Sequence, residues 1–137
     1  MAVEVLTAED RQAAADLWAE AGLTRPWNDA PADFDRALAG PTSTVLGLRV
    51  DGTLVGTVMV GHDGHRGWMY YLAMAPSCRE QGLGATLVRA AEEWLHDAGA
   101  VKVQLMVRHD NTDAAGFYER LGYADDQVVV LSRWLRP

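Results

Sequence analysis

The sequence predicts a mixed α/β domain. Three observations carry this. Segments patterned as strand and as helix alternate along the chain, and two alternating apolar runs meet at Asp51-Gly52. An aromatic-rich strand from Trp68 also leads through a turn into a long helix that opens with two glycines. The chain has 137 residues, a length suited to one domain over 1–137 with a core that needs no covalent staples.

Ala2–Leu6 is a short apolar run, the first expected strand. Thr7-Ala-Glu-Asp10 has the form of a capping box with Asp in the fourth place. Ala14, Leu17, Trp18 and Ala21 follow at helical spacing, and Gly22 ends that helix. Leu23-Thr-Arg-Pro-Trp-Asn-Asp-Ala-Pro31 is irregular because of its prolines, and a short helix covers Ala32–Ala39. Ser43–Val50 and Thr53–Gly61 form a hairpin about Asp51-Gly52, the dipeptide that a tight two-residue turn prefers. A polar loop, His62-Asp-Gly-His-Arg-Gly67, precedes a strand over Trp68–Ala75. Pro76–Glu80 turns into a helix over Gly82–Ala98, with Leu83, Leu87, Ala91, Trp94 and Ala98 as its apolar stripe. Val101, Val103, Leu105 and Val107 alternate as a strand. Ala114, Phe117, Tyr118 and Leu121 mark a short helix ended by Gly122, and Asp126–Leu135 is the last expected strand. The order is β-α-α-β-β-β-α-β-α-β.

Composition excludes several classes. Apolar residues make up 49% and charged residues 23%, so disorder is not expected. Cys78 is the only cysteine, which excludes a disulfide framework. No apolar run approaches the roughly 20 residues of a membrane span, and the acidic start MAVEVLTAED does not resemble a signal peptide. A cytoplasmic protein with no membrane partner is expected. The net charge of −7 argues against a nucleic-acid partner and suits cationic substrates. His96 and His109 lack partners at metal-ligand spacing, so no metal is expected.

The most informative stretch is Ala75-Pro-Ser-Cys-Arg-Glu-Gln-Gly-Leu-Gly-Ala-Thr-Leu87. Unpaired N–H groups at a helix start make an anion site, and Gly82 and Gly84 let a phosphate approach without a Cβ in the way. A dinucleotide fingerprint is excluded because position 87 is Leu, and no Gly-Lys-Ser/Thr follows to make a P-loop. About 30 residues on comes Asn111-x-x-Ala114-x-x-Phe117-Tyr118-x-x-Leu121-Gly122-Tyr123. Together, Arg79-x-x-Gly82-x-Gly84 and this second segment resemble the motifs of the GNAT superfamily of acyl-CoA-dependent N-acetyltransferases, and the element order agrees over nearly the whole chain. Leu23-Thr-Arg-Pro-Trp-Asn-Asp29, Gly61-His-Asp-Gly-His-Arg-Gly67 and Tyr70-Tyr71-Leu72 further resemble the YpeA-like bacterial subfamily.

The resemblance implies a mostly antiparallel central sheet flanked by helices, with acetyl-CoA as cosubstrate. It implies that the strand Tyr70–Met74 splays from Lys102–Val107, so that the main chain of Leu72, Ala73 and Met74 pairs with pantetheine. An amide near Leu72 then polarises the acetyl carbonyl, a contact often worth ~3 kcal/mol. Amides of Gln81, Gly82, Leu83, Gly84 and Ala85 hold the pyrophosphate, with the Thr86 hydroxyl beside them and Arg79 adding charge. Asn111 either bonds the pantetheine or caps the helix that follows. Tyr118 matches the tyrosine that faces the thioester sulfur and assists its departure, although it also suits plain packing.

The general base is less defined, because Trp68-Met-Tyr-Tyr-Leu72 has no carboxylate where many family members place a Glu. Asp63, His62, His65 or a water held by Tyr70 or Tyr71 are the candidates. Arg25, Trp27, Asn28 and Asp29 form the expected acceptor-binding cluster. Arg25 suits a substrate carboxylate, Trp27 alternatively plugs the core, and Asn28 and Asp29 alternatively cap a helix. Cys78 has no neighbouring base for a covalent route, so direct transfer to a primary amine in a ternary complex is expected. The alternative is a non-catalytic acyl-CoA sensor. Trp134 near the C-terminus offers a surface for a homodimer.

Overall fold

A computed structural model describes residues 2–79 and 81–136. Glu80, at the end of the expected turn over Pro76–Glu80, lies outside the described residues. The chain forms two compact units, Met1–Met106 and Val107–Pro137.

The first unit carries a five-stranded sheet in the order β1-β2-β3-β4-β5. The strands are β1 (Val3–Val5), β2 (Ser43–Val50), β3 (Thr53–His62), β4 (Gly67–Met74) and β5 (Val103–Gln104). Neighbours from β1 to β4 run antiparallel, and β5 runs parallel to β4. The mixed, mostly antiparallel sheet is therefore the one expected. The β2–β3 hairpin turns at Asp51 (φ 51°) and Gly52 (φ 80°). Both are left-handed, as a tight turn matching the strand twist requires.

Helices α1 (Arg11–Glu20) and α2 (Ala30–Ala39) cover one face of the sheet, and α3 (Leu83–Asp97) covers the other. Alternation along β3 shows this directly. Thr57 hydrogen-bonds Trp18 on α1, whereas a Cβ on neighbouring Gly56 would lie 2.8 Å from Leu87 Cδ1 on α3. Trp18, Phe34, Leu17, Val45, Leu6 and Ala73 anchor the α1–α2 side. On α3 the buried residues are Leu83, Leu87, Val88, Ala91 and Leu95. The expected stripe is thus corrected at its C-terminal end: Trp94 is half-buried and Ala98 exposed. Steps of four residues carry the apolar line from Leu83 to Leu95, leaving Trp94 at its flank.

The turn before α1 is a capping box, with the Thr7 N–H donating to Asp10 Oδ2 at 2.9 Å. Asp10 also receives Arg49 Nη2 at 2.6 Å, and Arg49 Nε reaches Glu4 at 2.5 Å. Desolvation works against the Asp10 carboxylate, but the Thr7 N–H and the Arg49 guanidinium outweigh it and hold the carboxyl below its usual range. Because that pKa is depressed on folding, the stabilisation is present above the ordinary value of 3.8 and fades as pH falls through the lower folded value. Asp10→Ala should cost about 1–2 kcal/mol at neutral pH, read by urea unfolding, and progressively less as the pH falls below 3.8.

The second unit contains α4 (Thr112–Arg120). Among the described residues no strand follows it, so the expected strand over Asp126–Leu135 is corrected. Val128, Val129, Val130, Leu131, Trp134 and Leu135 are all exposed. The β-branched run has strand propensity, but a strand exists only where a ladder partner supplies its hydrogen bonds. Asp125 instead accepts the Gln127 N–H at 2.7 Å in a tight polar turn. No helix among the described residues is long and apolar enough to cross a membrane.

Candidate functional site

The site is built where β4 and β5 part. Their parallel pairing covers only Gly67 with Val103 and Trp68 with Gln104. Beyond it, the edge of β4 from Tyr70 to Met74 has no strand partner on the β5 side among the described residues. On its other side β4 is bulged. Thr57 pairs with Ala73 and Met59 with Tyr70, so Val58 stands opposite both Tyr71 and Leu72. Tyr71 takes the left-handed conformation, φ 51°, which is unfavourable for a non-glycine residue. Surrounding contacts hold it there. Its ring stacks on Trp18 with centroids 3.9 Å apart, its hydroxyl donates to Asp33 Oδ2 at 2.7 Å, and its carbonyl accepts from Thr57 Oγ1 at 3.0 Å.

Helix α3 starts at the same end of β4. Its N-cap is Gly82 in the left-handed conformation, φ 75°. A Cβ there would meet nothing within 4 Å, so conformation and not space selects glycine. Helices α2 and α4 each have a side-chain cap, Asp29 to the Ala32 N–H at 3.1 Å and Asn111 to the Ala114 N–H at 3.0 Å. Among the described residues no side chain caps α3. The N–H groups of Leu83, Gly84 and Ala85 therefore face outward with the positive end of the helix dipole behind them, able to take an anion. Arg79 and Gln81 are exposed beside them. The Thr86 hydroxyl donates to the Gly82 carbonyl at 3.3 Å.

The segment between α1 and α2 presents Trp27, which is 55% exposed and so does not plug the core. Arg25 Nη1 donates to the carbonyls of Gly22 at 3.0 Å and Thr24 at 2.8 Å, which fixes the side chain. The Asn28 N–H closes a turn onto the Arg25 carbonyl at 3.1 Å. Asp29 caps α2, and one turn further Asp33 receives Tyr71 while pairing with Arg36. Burial, reinforced by the Asp33 carboxylate, pushes the Tyr71 phenol well above its usual range. Tyr71 is consequently a hydrogen-bond donor at neutral pH and not a base.

Asp63 lies in the β3–β4 loop, off the Leu72–Met74 edge, but its carboxylate reaches the Trp68 side chain, and burial together with the Asp63 charge raises the Tyr70 phenol above its usual range. The Asp63 carboxylate accepts the N–H groups of Arg66 at 2.7 Å and His65 at 2.9 Å, and these hold its pKa below the usual range. It shapes a turn and is a weak base. His62 and His65 line a separate cavity of about 110 Å³ with Arg66 and Ala98–Ala100.

In the second unit Asn111 acts as the cap of α4, one of the two roles open to it. Tyr118 packs edge-on against Phe117 at 5.0 Å and Tyr123 at 5.6 Å. Burial pushes its phenol up to about 12. Among the described residues no group of three or more His, Cys, Asp or Glu side chains could hold a metal ion.

The model of the acetyltransferase (GNAT) family matches residues 6–123. The chain belongs to that family. Solved structures of other GNAT-like proteins share its fold. A ribosomal-protein-alanine N-acetyltransferase from Brucella melitensis biovar Abortus 2308 is 23% identical, covering 97% of this chain and 99% of its own, with a TM-score of 0.78. The aminoglycoside 6'-N-acetyltransferase of Acinetobacter haemolyticus is 17% identical, with coverage of 99% and 100% and a TM-score of 0.80. An aminoglycoside N-acetyltransferase in complex with CoA is 15% identical, with coverage of 98% and 95% and a TM-score of 0.84.

In this GNAT acetyltransferase three residues of the corner escaped the sequence reading: Asp33, Thr57 and Trp18. Asp33 is one of several charged positions on α2, and nothing in the sequence singles it out. Thr57 was the one available signal, a hydroxyl inside the otherwise apolar run Leu54–Val60 that had to find a partner.

Proposed function

We propose that this protein transfers the acetyl group of acetyl-CoA to a primary amine of a small molecule, amino acid or peptide, directly and within a ternary complex. The observation that carries the reading is the meeting, at one end of β4, of an unpaired strand edge at Leu72–Met74 with an uncapped helix start at Gly82–Ala85. The first suits the amide groups of pantetheine, which need strand-like partners. The second suits a pyrophosphate. Fold relatives named for aminoglycoside and ribosomal-protein-alanine acetylation both act on amines, and one of the aminoglycoside enzymes is in complex with CoA, which supports the same cosubstrate class here.

Bound acetyl-CoA supplies an acyl group activated as a thioester. The main chain of Leu72, Ala73 and Met74 positions its arm, and the Leu72 N–H donates to the acyl oxygen. Gln81, Gly82, Leu83, Gly84 and Ala85 hold the diphosphate through their amides, with Arg79 adding charge. The amine nitrogen bonds to the acyl carbon as the carbon–sulfur bond breaks. Tyr118 gives a hydrogen bond or its proton to the departing sulfur. The amine's own proton leaves to a water held against the Tyr71 hydroxyl, whose own proton is hydrogen-bonded to Asp33 Oδ2. Arg25 and Trp27 receive the acceptor; Asn28 and Asp29 shape their loop. The likeness of residues 23–29 and 61–67 to YpeA-like proteins names no acceptor.

The absence of a carboxylate along Trp68–Met74 favours a second reading, an acyl-CoA sensor without turnover. Thiol release from acetyl-CoA against a panel of amines, amino acids and peptides separates the two. Release with any acceptor establishes the transferase. Tight acetyl-CoA binding with no acceptor establishes the sensor, and failure to bind acetyl-CoA removes both.

A further inference from the structure

Thr57 is fully buried in the middle of β3, and its hydroxyl both accepts and donates a hydrogen bond. Trp18 Nε1 lies 2.8 Å from Thr57 Oγ1, and an indole nitrogen only donates. The single hydroxyl proton therefore goes to the other partner, the Tyr71 carbonyl at 3.0 Å. The hydrogen-bond direction is fixed by chemistry: indole to hydroxyl to carbonyl. The Tyr71 carbonyl and the Leu72 N–H belong to one trans peptide group, so the two point in opposite directions. Holding the carbonyl toward Thr57 holds the Leu72 N–H away from it. A hydrogen bond accepted by the carbonyl also polarises the N–H of the same peptide. The residue before this peptide is the left-handed Tyr71, where an unrestrained tyrosine would relax and turn the plane.

We infer that Thr57, oriented by Trp18, is a positioning residue for acyl transfer: it locks and polarises the Tyr71–Leu72 peptide so that the Leu72 N–H is a preorganised donor to the acetyl oxygen. The inference deepens the proposed acetyltransferase reading and rests on it. Neither side chain touches the substrate, and the whole effect passes through one peptide plane.

The test is isotope-edited infrared spectroscopy of acetyl-CoA carrying carbon-13 at the thioester carbonyl, with CoA affinity measured alongside. In the unaltered protein, binding should move the carbonyl band to lower frequency. Thr57→Val keeps the shape and loses the hydroxyl. It should lose at least half of that shift and lower kcat by about tenfold, with CoA affinity and acceptor KM unchanged. Thr57→Ser should restore the shift, because it restores the hydroxyl. Should the valine variant fail to fold, Thr57→Ala, which also removes the hydroxyl, is read in the same way. A folded Thr57→Val protein that binds acetyl-CoA with the full band shift overturns the inference and leaves the transferase reading standing. So does an unaltered protein that binds acetyl-CoA with no shift. An unaltered protein that fails to bind acetyl-CoA overturns the reading itself and the inference with it.

Discussion

Tyr118→Phe is expected to lower kcat by about ten- to a hundredfold while acetyl-CoA binds as tightly as before. General acid catalysis usually contributes about 10²–10⁴-fold. The lower part of that range applies here for a stated reason. Burial pushes the Tyr118 phenol up to about 12, whereas a thiol titrates near 8.5. Full proton transfer from phenol to thiolate is therefore uphill, and the phenol stabilises the sulfur chiefly as a hydrogen-bond donor. The sign for pH follows. A raised pKa keeps the phenol protonated, so kcat should not fall through loss of the Tyr118 proton anywhere below about pH 11. Steady-state rates from pH 6 to pH 10 in both proteins check this. A descending alkaline limb below pH 10 that Phe abolishes would assign Tyr118 a much lower pKa and a different role.

The second large effect separates stability from binding by sign. Ala85 is the third residue of α3, where a glutamate reaches back to the N-cap N–H. Ala85→Glu should hold or slightly raise the melting temperature, because an acid in the first turn of an uncapped helix gains about 0.3–1 kcal/mol. The same carboxylate faces the proposed diphosphate. Two like charges about 4 Å apart near a surface repel by ~4 kcal/mol, so acetyl-CoA affinity should fall at least a hundredfold. Calorimetric titration and thermal unfolding on one preparation read both changes. Unchanged affinity in a stabilised protein would show that the diphosphate does not sit at this helix start.

Local signals carried far along this chain, and long-range ones did not. Asp51-Gly52 located the first hairpin because two left-handed residues in a row are almost a property of the dipeptide. The pairing of Arg79–Gly84 with Asn111–Tyr123 led to the family because both segments are contiguous. Asp29 and Asn111 were legible as caps for the same reason, although chemistry alone left each a second role. The bulge at Tyr71 was not legible. Nothing in Tyr70-Tyr71-Leu72 marks a positive φ, which is imposed by Trp18, Asp33 and Thr57 from three other elements. Asp63 is the carboxylate nearest to β4 in sequence, and its turn brings it to Trp68 and Tyr70 rather than to the Leu72–Met74 edge. The run Val128–Leu131 has the residue types of a strand, and residue types cannot supply a neighbouring edge.

The depths of two indoles have a practical consequence. Trp18 is sealed between α1 and β3 with Tyr71 stacked on it, whereas Trp27 stands out in the loop proposed to meet the acceptor. Iodide should quench the emission of Trp27 and leave that of Trp18 untouched. With the remaining tryptophans replaced, the ratio of the two signals becomes an internal optical gauge. An acceptor that settles over Trp27 would announce itself by shielding the quenchable fraction, so candidate amines can be ranked by fluorescence before any turnover is detected.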